Sequence, residues 1–177
     1  MTCIAGVAQD GKVYIGADSA GVAGWDLTIR ADEKVFTKGP FVMGFTTSFR
    51  MGQLLRYQLN VAERPAGTPV EQFMVVTFIG AVRQCLDDGR WKTIKDGVDQ
   101  GGEFLVGYQG RLFQVFGDYQ VAESADGLAA CGCGDNFALG AMEATPTLAP
   151  KDRVLGALAI AEKRSGGVRG PFVVEAI

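Results

Sequence analysis

Two apolar runs, at positions 3–9 and 12–17, bracket an Asp10-Gly11 turn signal, and in the second Val13, Ile15 and Ala17 alternate with Tyr14, Gly16 and Asp18. A period of two is the signature of a strand with distinct faces, so the pattern predicts a hairpin with Asp18 at the end of its second strand. Residues 21–30 contain glycine and lack periodicity, which predicts a loop or irregular ribbon leading to Lys34-Val35-Phe36 and a strand at 41–46. The period then changes to that of a helix. Met51, Leu54, Leu55, Leu59 and Ala62 hold helical spacing, and Val70, Phe73, Met74, Thr77, Phe78, Ala81, Val82, Cys85 and Leu86 form a longer stripe. Thr68-Pro69-Val70-Glu71 reads as a capping box with proline at the first helical position, and Gly89 as the stop.

Residues 87–102 are polar and glycine-bearing, so a surface loop is expected. Asp87, Asp88, Asp96 and Asp99 lack calcium-loop spacing and read as solvated surface. Strands follow at 103–108 and 111–116 around Gln109-Gly110, with extended segments near 119–122 and 128–132, helices at about 135–145 and 151–164, and a last strand at 171–176. Strands, two helices, strands, two helices and a strand predict a layered α+β domain spanning residues 1–177 as one unit. Periodicity alone does not show whether the strands form one sheet or two.

Composition narrows the functional classes. With 47% apolar residues and a net charge of −3, the chain is expected to be globular and lacks the basic footprint of a nucleic-acid binder. The longest apolar run, around Phe73 to Val82, is too short to span a bilayer. No basic start with an apolar core resembles a signal peptide, so a cytoplasmic location is expected. Four cysteines, at 3, 85, 131 and 133, show no disulfide framework, and Cys131-Gly-Cys133 has too few partner ligands for a metal. Gly132-Cys133-Gly134 begins like a dinucleotide fingerprint, but Phe137 holds the third glycine position and no parallel βαβ unit surrounds it.

The chain contains no histidine, which removes imidazole-based nucleophile triads and histidine-bearing zinc sites. A nucleophile here needs another base. Thr2 follows the initiator methionine, and its α-amine, once exposed, would have a reference pKa of about 7.7–8.0, suited to general-base work.

Thr2, Gly16-Ala17-Asp18 at a strand end, Lys34 before Val35, Gly132-Cys133-Gly134 opening a helix and Ser165-Gly166-Gly167 before the final strand lie at spacings that cover nearly the whole chain. Together they resemble the N-terminal-nucleophile hydrolases, in particular proteasome β subunits and the bacterial HslV-type peptidase. The resemblance implies a four-layer αββα sandwich and threonine-dependent amide hydrolysis of a peptide or protein without metal or organic cofactor. It also implies homo-oligomeric rings and an ATP-dependent unfoldase as partner. Carried over by position, Thr2 is the nucleophile, Lys34 the cation that favours its deprotonated forms, and Asp18 the acceptor that holds Lys34.

Two departures stand out. Cys133 replaces the family's serine, offering a weak thiol donor beside the terminal amine. Glu162, three residues before Ser165, is longer than the family's aspartate, and its carboxylate near a helix C-terminus opposes the macrodipole. The family's oxyanion-binding glycine falls near Thr47 or Ser48, where a backbone N–H survives any non-proline substitution. The other readings are a catalytically silent structural or assembly member of the same fold, favoured by Cys133, and a small-molecule amidase.

Overall fold

The computed structural model describes residues 1–91 and 93–177. Strands β1 (Cys3–Gln9) and β2 (Lys12–Ala17) form the expected hairpin. They lie at the centre of a four-stranded antiparallel sheet in the order β12-β1-β2-β13, flanked by β12 (Leu128–Gly132) and β13 (Val173–Ala176). A second sheet of five strands runs β11-β10-β9-β6-β5, built from β5 (Val35–Lys38), β6 (Phe41–Phe45), β9 (Phe104–Tyr108), β10 (Arg111–Val115) and β11 (Val121–Glu123). There are thus two stacked sheets.

Alternation along β2 explains the stacking. Val13, Ile15 and Ala17 enter the layer between the sheets with Ile4, Val35, Val42, Leu105, Leu112 and Cys131. Gly16, on the opposite face, meets helix α5 (Pro150–Arg164), where an added Cβ would lie 2.5 Å from Val154. Helix α4 (Asp135–Glu143) joins α5 over the four-stranded sheet, burying Ala138, Met142, Val154 and Leu158. On the outer face of the five-stranded sheet, α1 (Phe49–Tyr57) and α3 (Ile79–Asp88) pack over an aromatic core in which Phe41 stacks on Tyr108 at 4.8 Å. The result is the four-layer αββα arrangement.

Several local expectations change. Residues 20–29 form a two-stranded ribbon of β3 (Ala20–Ala23) and β4 (Asp26–Ile29). The polar stretch expected as a loop instead continues α3 to Asp88 and then pairs β7 (Thr93–Lys95) with β8 (Val98–Gln100). Asp96 and Gly97, both at positive φ, turn that ribbon. The capping box is not made: helix α2 (Val70–Gln72) starts after Pro69 with no side-chain cap bond. A π turn (Phe73–Phe78) separates α2 from α3. Its wider register lets Phe73 and Phe78, five residues apart, both enter the core. Among the described residues no helix is long and apolar enough to cross a membrane.

Candidate active site

Strand pairing carries Thr2 to Asp18. β1 and β2 pair antiparallel with Ile4 opposite Ala17, so the start of one strand meets the end of the other, and Cys3 N–H donates to Asp18 Oδ1 at 3.0 Å. Lys34 stands just before β5, and its Nζ reaches across the sheets to donate to Asp18 Oδ1 at 2.8 Å and to Thr2 Oγ1 at 2.9 Å. Asp18 Oδ2 accepts from the backbone of Ala20 at 3.0 Å and of Arg169 at 3.2 Å. Thr2, Asp18 and Lys34 are all buried.

Burying an ammonium ion is costly unless it is paired, and the arrangement shows both sides of that balance. Loss of water pushes the Lys34 pKa below its ordinary value of 10.5, while the Asp18 charge and hydrogen bond oppose the shift. The pair holds a positive charge 2.9 Å from a hydroxyl, where it favours the alkoxide form.

The far side of Thr2 is formed by the turn into α4 and the segment after α5. Thr2 N–H donates to Cys133 Sγ at 3.3 Å, and Ser165 Oγ donates to the same sulfur at 3.2 Å. Cys133 is exposed, whereas Cys3, Cys85 and Cys131 are buried. Burial, followed by the nearby Asp18 charge, pushes the Cys3 thiol up to about 12, and burial also raises Cys131 well above the usual thiol range. Met1 precedes Thr2 in the chain, so Thr2 N is an amide here, and the Thr2 hydroxyl donates to the Met1 carbonyl.

Glu162 is engaged elsewhere. Its carboxylate accepts from Gly170 N–H at 2.9 Å and faces the Arg169 guanidinium at 3.8 Å. Because Arg169 N–H also binds Asp18, Glu162 braces the segment that supports the Lys34 partner. That support is invisible in sequence, since any non-proline residue at 169 supplies the same N–H. Ser19 was also missed: its Oγ donates to the Pro171 carbonyl at 2.7 Å and ties the same segment to the end of β2.

Thr47 and Ser48 now separate. Ser48 caps α1, accepting from Arg50 N–H at 3.1 Å. Thr47 adopts φ 65°, a left-handed conformation that favours glycine. The N–H groups of Thr46 and Ser48 donate to Glu103 and Thr46 carbonyls, but among the described residues no backbone carbonyl outside the regular elements accepts from Thr47 N–H. These residues border a pocket of about 90 Å³ that also touches Thr2 and Lys34. Among the described residues no group of three or more acidic, cysteine or histidine side chains is placed to hold a metal.

Gly132 locks the turn. At φ 98° an added Cβ would sit 2.4 Å from the Thr2 carbonyl oxygen. Gly132→Ala is therefore expected to displace Thr2, destabilise the fold by about 1–3 kcal/mol, and reduce any Thr2-dependent turnover roughly 10²-fold. Thermal melting and initial rates on one preparation check both effects.

No family model matches the chain, and no curated protein matches it. Solved structures do. The Thiobacillus denitrificans BPH structure in complex with epoxomicin has TM-score 0.82 at 21% identity, covering 99% of this chain and 97% of that one. Eukaryotic HslV from Trypanosoma brucei gives TM-score 0.69 at 18% identity, with 98% of each chain covered. Anbu, an ancestral beta-subunit from Yersinia bercovieri, gives 0.66 at 14% identity over 99% of this chain and 81% of that one. Two stacked sheets between two helical layers give this chain the proteasome-like N-terminal-nucleophile hydrolase fold, which it shares with these structures.

Proposed function

We propose that the chain, once Met1 is removed, hydrolyses peptide bonds with Thr2 as nucleophile. The observation that carries this reading is the buried Lys34 ammonium, placed 2.9 Å from Thr2 Oγ1 by a carboxylate with three further backbone donors. An ion pair of that kind is expensive to bury and is most simply explained by the hydroxyl it polarises. The freed α-amine takes the Thr2 proton, directly or through water, and returns it to the leaving amine. Oγ1 adds to the carbonyl to give a tetrahedral intermediate whose oxyanion is met by Thr47 N–H; its collapse breaks the C–N bond and leaves an ester acyl-enzyme on Oγ1, which water then hydrolyses to release the acid product. The similar BPH protein occurs in complex with epoxomicin, which makes that compound the natural probe.

Cys133 and Ser165 hold the amine in this scheme. The thiol is a weaker hydrogen-bond partner than a hydroxyl, so Cys133→Ser is expected to raise turnover severalfold by fixing the amine more firmly. A fall in kcat would show that neighbouring groups are adjusted to sulfur. Exposed Phe137, Leu148 and Ile160 on α4, on α5 and between them give copies of the chain an apolar surface on which to meet in a ring, with an unfoldase as a further partner.

A silent structural role is the second reading, favoured by Cys133, whose thiol offers Thr2 N only a weak hydrogen-bond partner. Hydrolysis of a coumarin-linked peptide by protein prepared with Thr2 as its first residue, beside protein retaining Met1, separates the two. The proposed peptidase turns over only in the first form, and absence of hydrolysis in both supports the silent role.

A further inference from the structure

Removal of Met1 would leave a fresh amine against a thiol. Thr2 N lies 3.3 Å from Cys133 Sγ, and this closeness does not depend on Met1. The Thr2 carbonyl accepts from Gly134 N–H and from the Cys133 thiol, each at 3.4 Å, while Cys3 N–H is tied to Asp18 at 3.0 Å. Gly132, having no side chain, lets the turn press onto that same carbonyl. Thr2 is thus held against residues 132–134 by its own carbonyl and by the next N–H along the chain.

The four cysteines are not alike. Cys3, Cys85 and Cys131 are buried, and burial is the largest cause that lifts each thiol above its ordinary range, Cys3 to about 12. Oxidants react with the thiolate, so these three are protected. Cys133 is exposed. Its sulfur accepts from Ser165 Oγ at 3.2 Å and looks over Gly167, where an added Cβ would stand 2.9 Å from the sulfur and 2.4 Å from Met1 Cβ. Sulfur and Met1 therefore share one crevice. Loss of Met1 opens it to a small oxidant on the side where the amine emerges.

We propose that Cys133 is a redox modification site whose oxidised sulfur is captured by the Thr2 amine. The Cys133 thiolate attacks one oxygen of a peroxide and the O–O bond breaks; sulfur becomes a sulfenic acid and the other oxygen leaves as hydroxide or alkoxide. The neutral amine then gives its lone pair to sulfur, the S–O bond breaks, and the departing hydroxide takes an amine proton to leave as water. The product is a sulfenamide joining Cys133 Sγ to Thr2 N. A thiol reductant reverses it: one thiol displaces the amine, which regains a proton, and a second reduces the mixed disulfide. The bond needs only an exposed amine. Its consequence, a reversibly silenced enzyme, rests on the peptidase reading above, because the nitrogen tied to sulfur is the base that reading requires. A serine at 133 would hold the amine without responding to peroxide.

The test starts from protein with Thr2 as its first residue, treated with hydrogen peroxide, quenched with catalase and digested for tandem mass spectrometry. The expected product is a pair of peptides joined through Thr2 N and Cys133 Sγ, lighter by two hydrogens than the same pair in untreated protein. Hydrolysis of a coumarin-linked peptide should fall roughly 10²-fold, as loss of a general base gives, and return with dithiothreitol. Protein retaining Met1 should keep the sulfenic acid, which dimedone labels on Cys133. Cys133→Ser should form no cross-link and show the same rate before and after peroxide. A disulfide from Cys133 to another cysteine, a sulfinic acid as the first product, or an unmodified Cys133 overturns the proposal. A processed enzyme that hydrolyses peptide, forms no cross-link and keeps its rate in peroxide sinks this proposal alone. A cross-link in protein that takes no epoxomicin and hydrolyses nothing before oxidation leaves the bond standing but sinks the peptidase reading, and the silencing with it.

Discussion

Lys34→Met is expected to lower turnover by roughly 10²–10³-fold, because it removes the charge that polarises the Thr2 hydroxyl. Volume is nearly conserved, so the loss reports charge. Removing one partner of a buried ion pair also costs about 3–5 kcal/mol. The lower end is expected, since Asp18 keeps backbone donors from Cys3, Ala20 and Arg169. Initial rates and thermal melting of parent and variant measure the two effects, and unchanged turnover would reduce Lys34 and Asp18 to a structural pair.

The same lysine predicts how pH acts on the parent. Its folded-state pKa lies below the ordinary 10.5 because burial disfavours the charge. Between those two values the unfolded chain holds a proton that the folded chain has released, so this group adds stability as pH rises through the window. Catalysis needs the charged form and declines through the same window. A rate that falls while Lys34 leaves the melting temperature steady or higher is the expected pattern.

Thr2→Ala is expected to remove turnover by roughly 10⁴-fold or more, since no other group replaces a lost nucleophile. Its cost in stability is about 1.5–3 kcal/mol for the hydrogen bond from the charged Lys34. Thr2→Ser keeps the attacking oxygen and the amine and should retain measurable turnover. If Thr2→Ala hydrolyses peptides as well as the parent, the nucleophile is elsewhere, and the exposed Cys133 becomes the first candidate.

The nearness of Thr2 to Asp18 was legible because it is set by sheet pairing, whereas that of Lys34 followed only from the family resemblance. A strand that begins at Cys3 and turns at Asp10-Gly11 returns to Thr2 when it reaches Asp18, so the offset in sequence is already a contact in space. The helical stripe from Val70 to Leu86 was legible for the same reason, though its π turn was not, because a one-residue slip leaves the apolar pattern intact. The two sheets followed from the resemblance and not from periodicity, since an alternating strand shows that it has a buried face but not what covers it. The ribbon of Thr93–Lys95 and Val98–Gln100 was hidden by polar strands too short to show a period. Glu162 matched the family's offset, yet its extra methylene and the nearby Gly170 N–H and Arg169 engage its carboxylate in bracing the 165–171 segment. Thr47 was separable from Ser48 only once its positive φ was seen.

The central claim is that an exposed Thr2 carries the nucleophile. Protein prepared with Thr2 as its first residue can be incubated with epoxomicin, digested, and mapped by tandem mass spectrometry. The account predicts one adduct, on Thr2, absent from Thr2→Ala and from protein retaining Met1. An adduct on Cys133, or none on the processed protein, would contradict it.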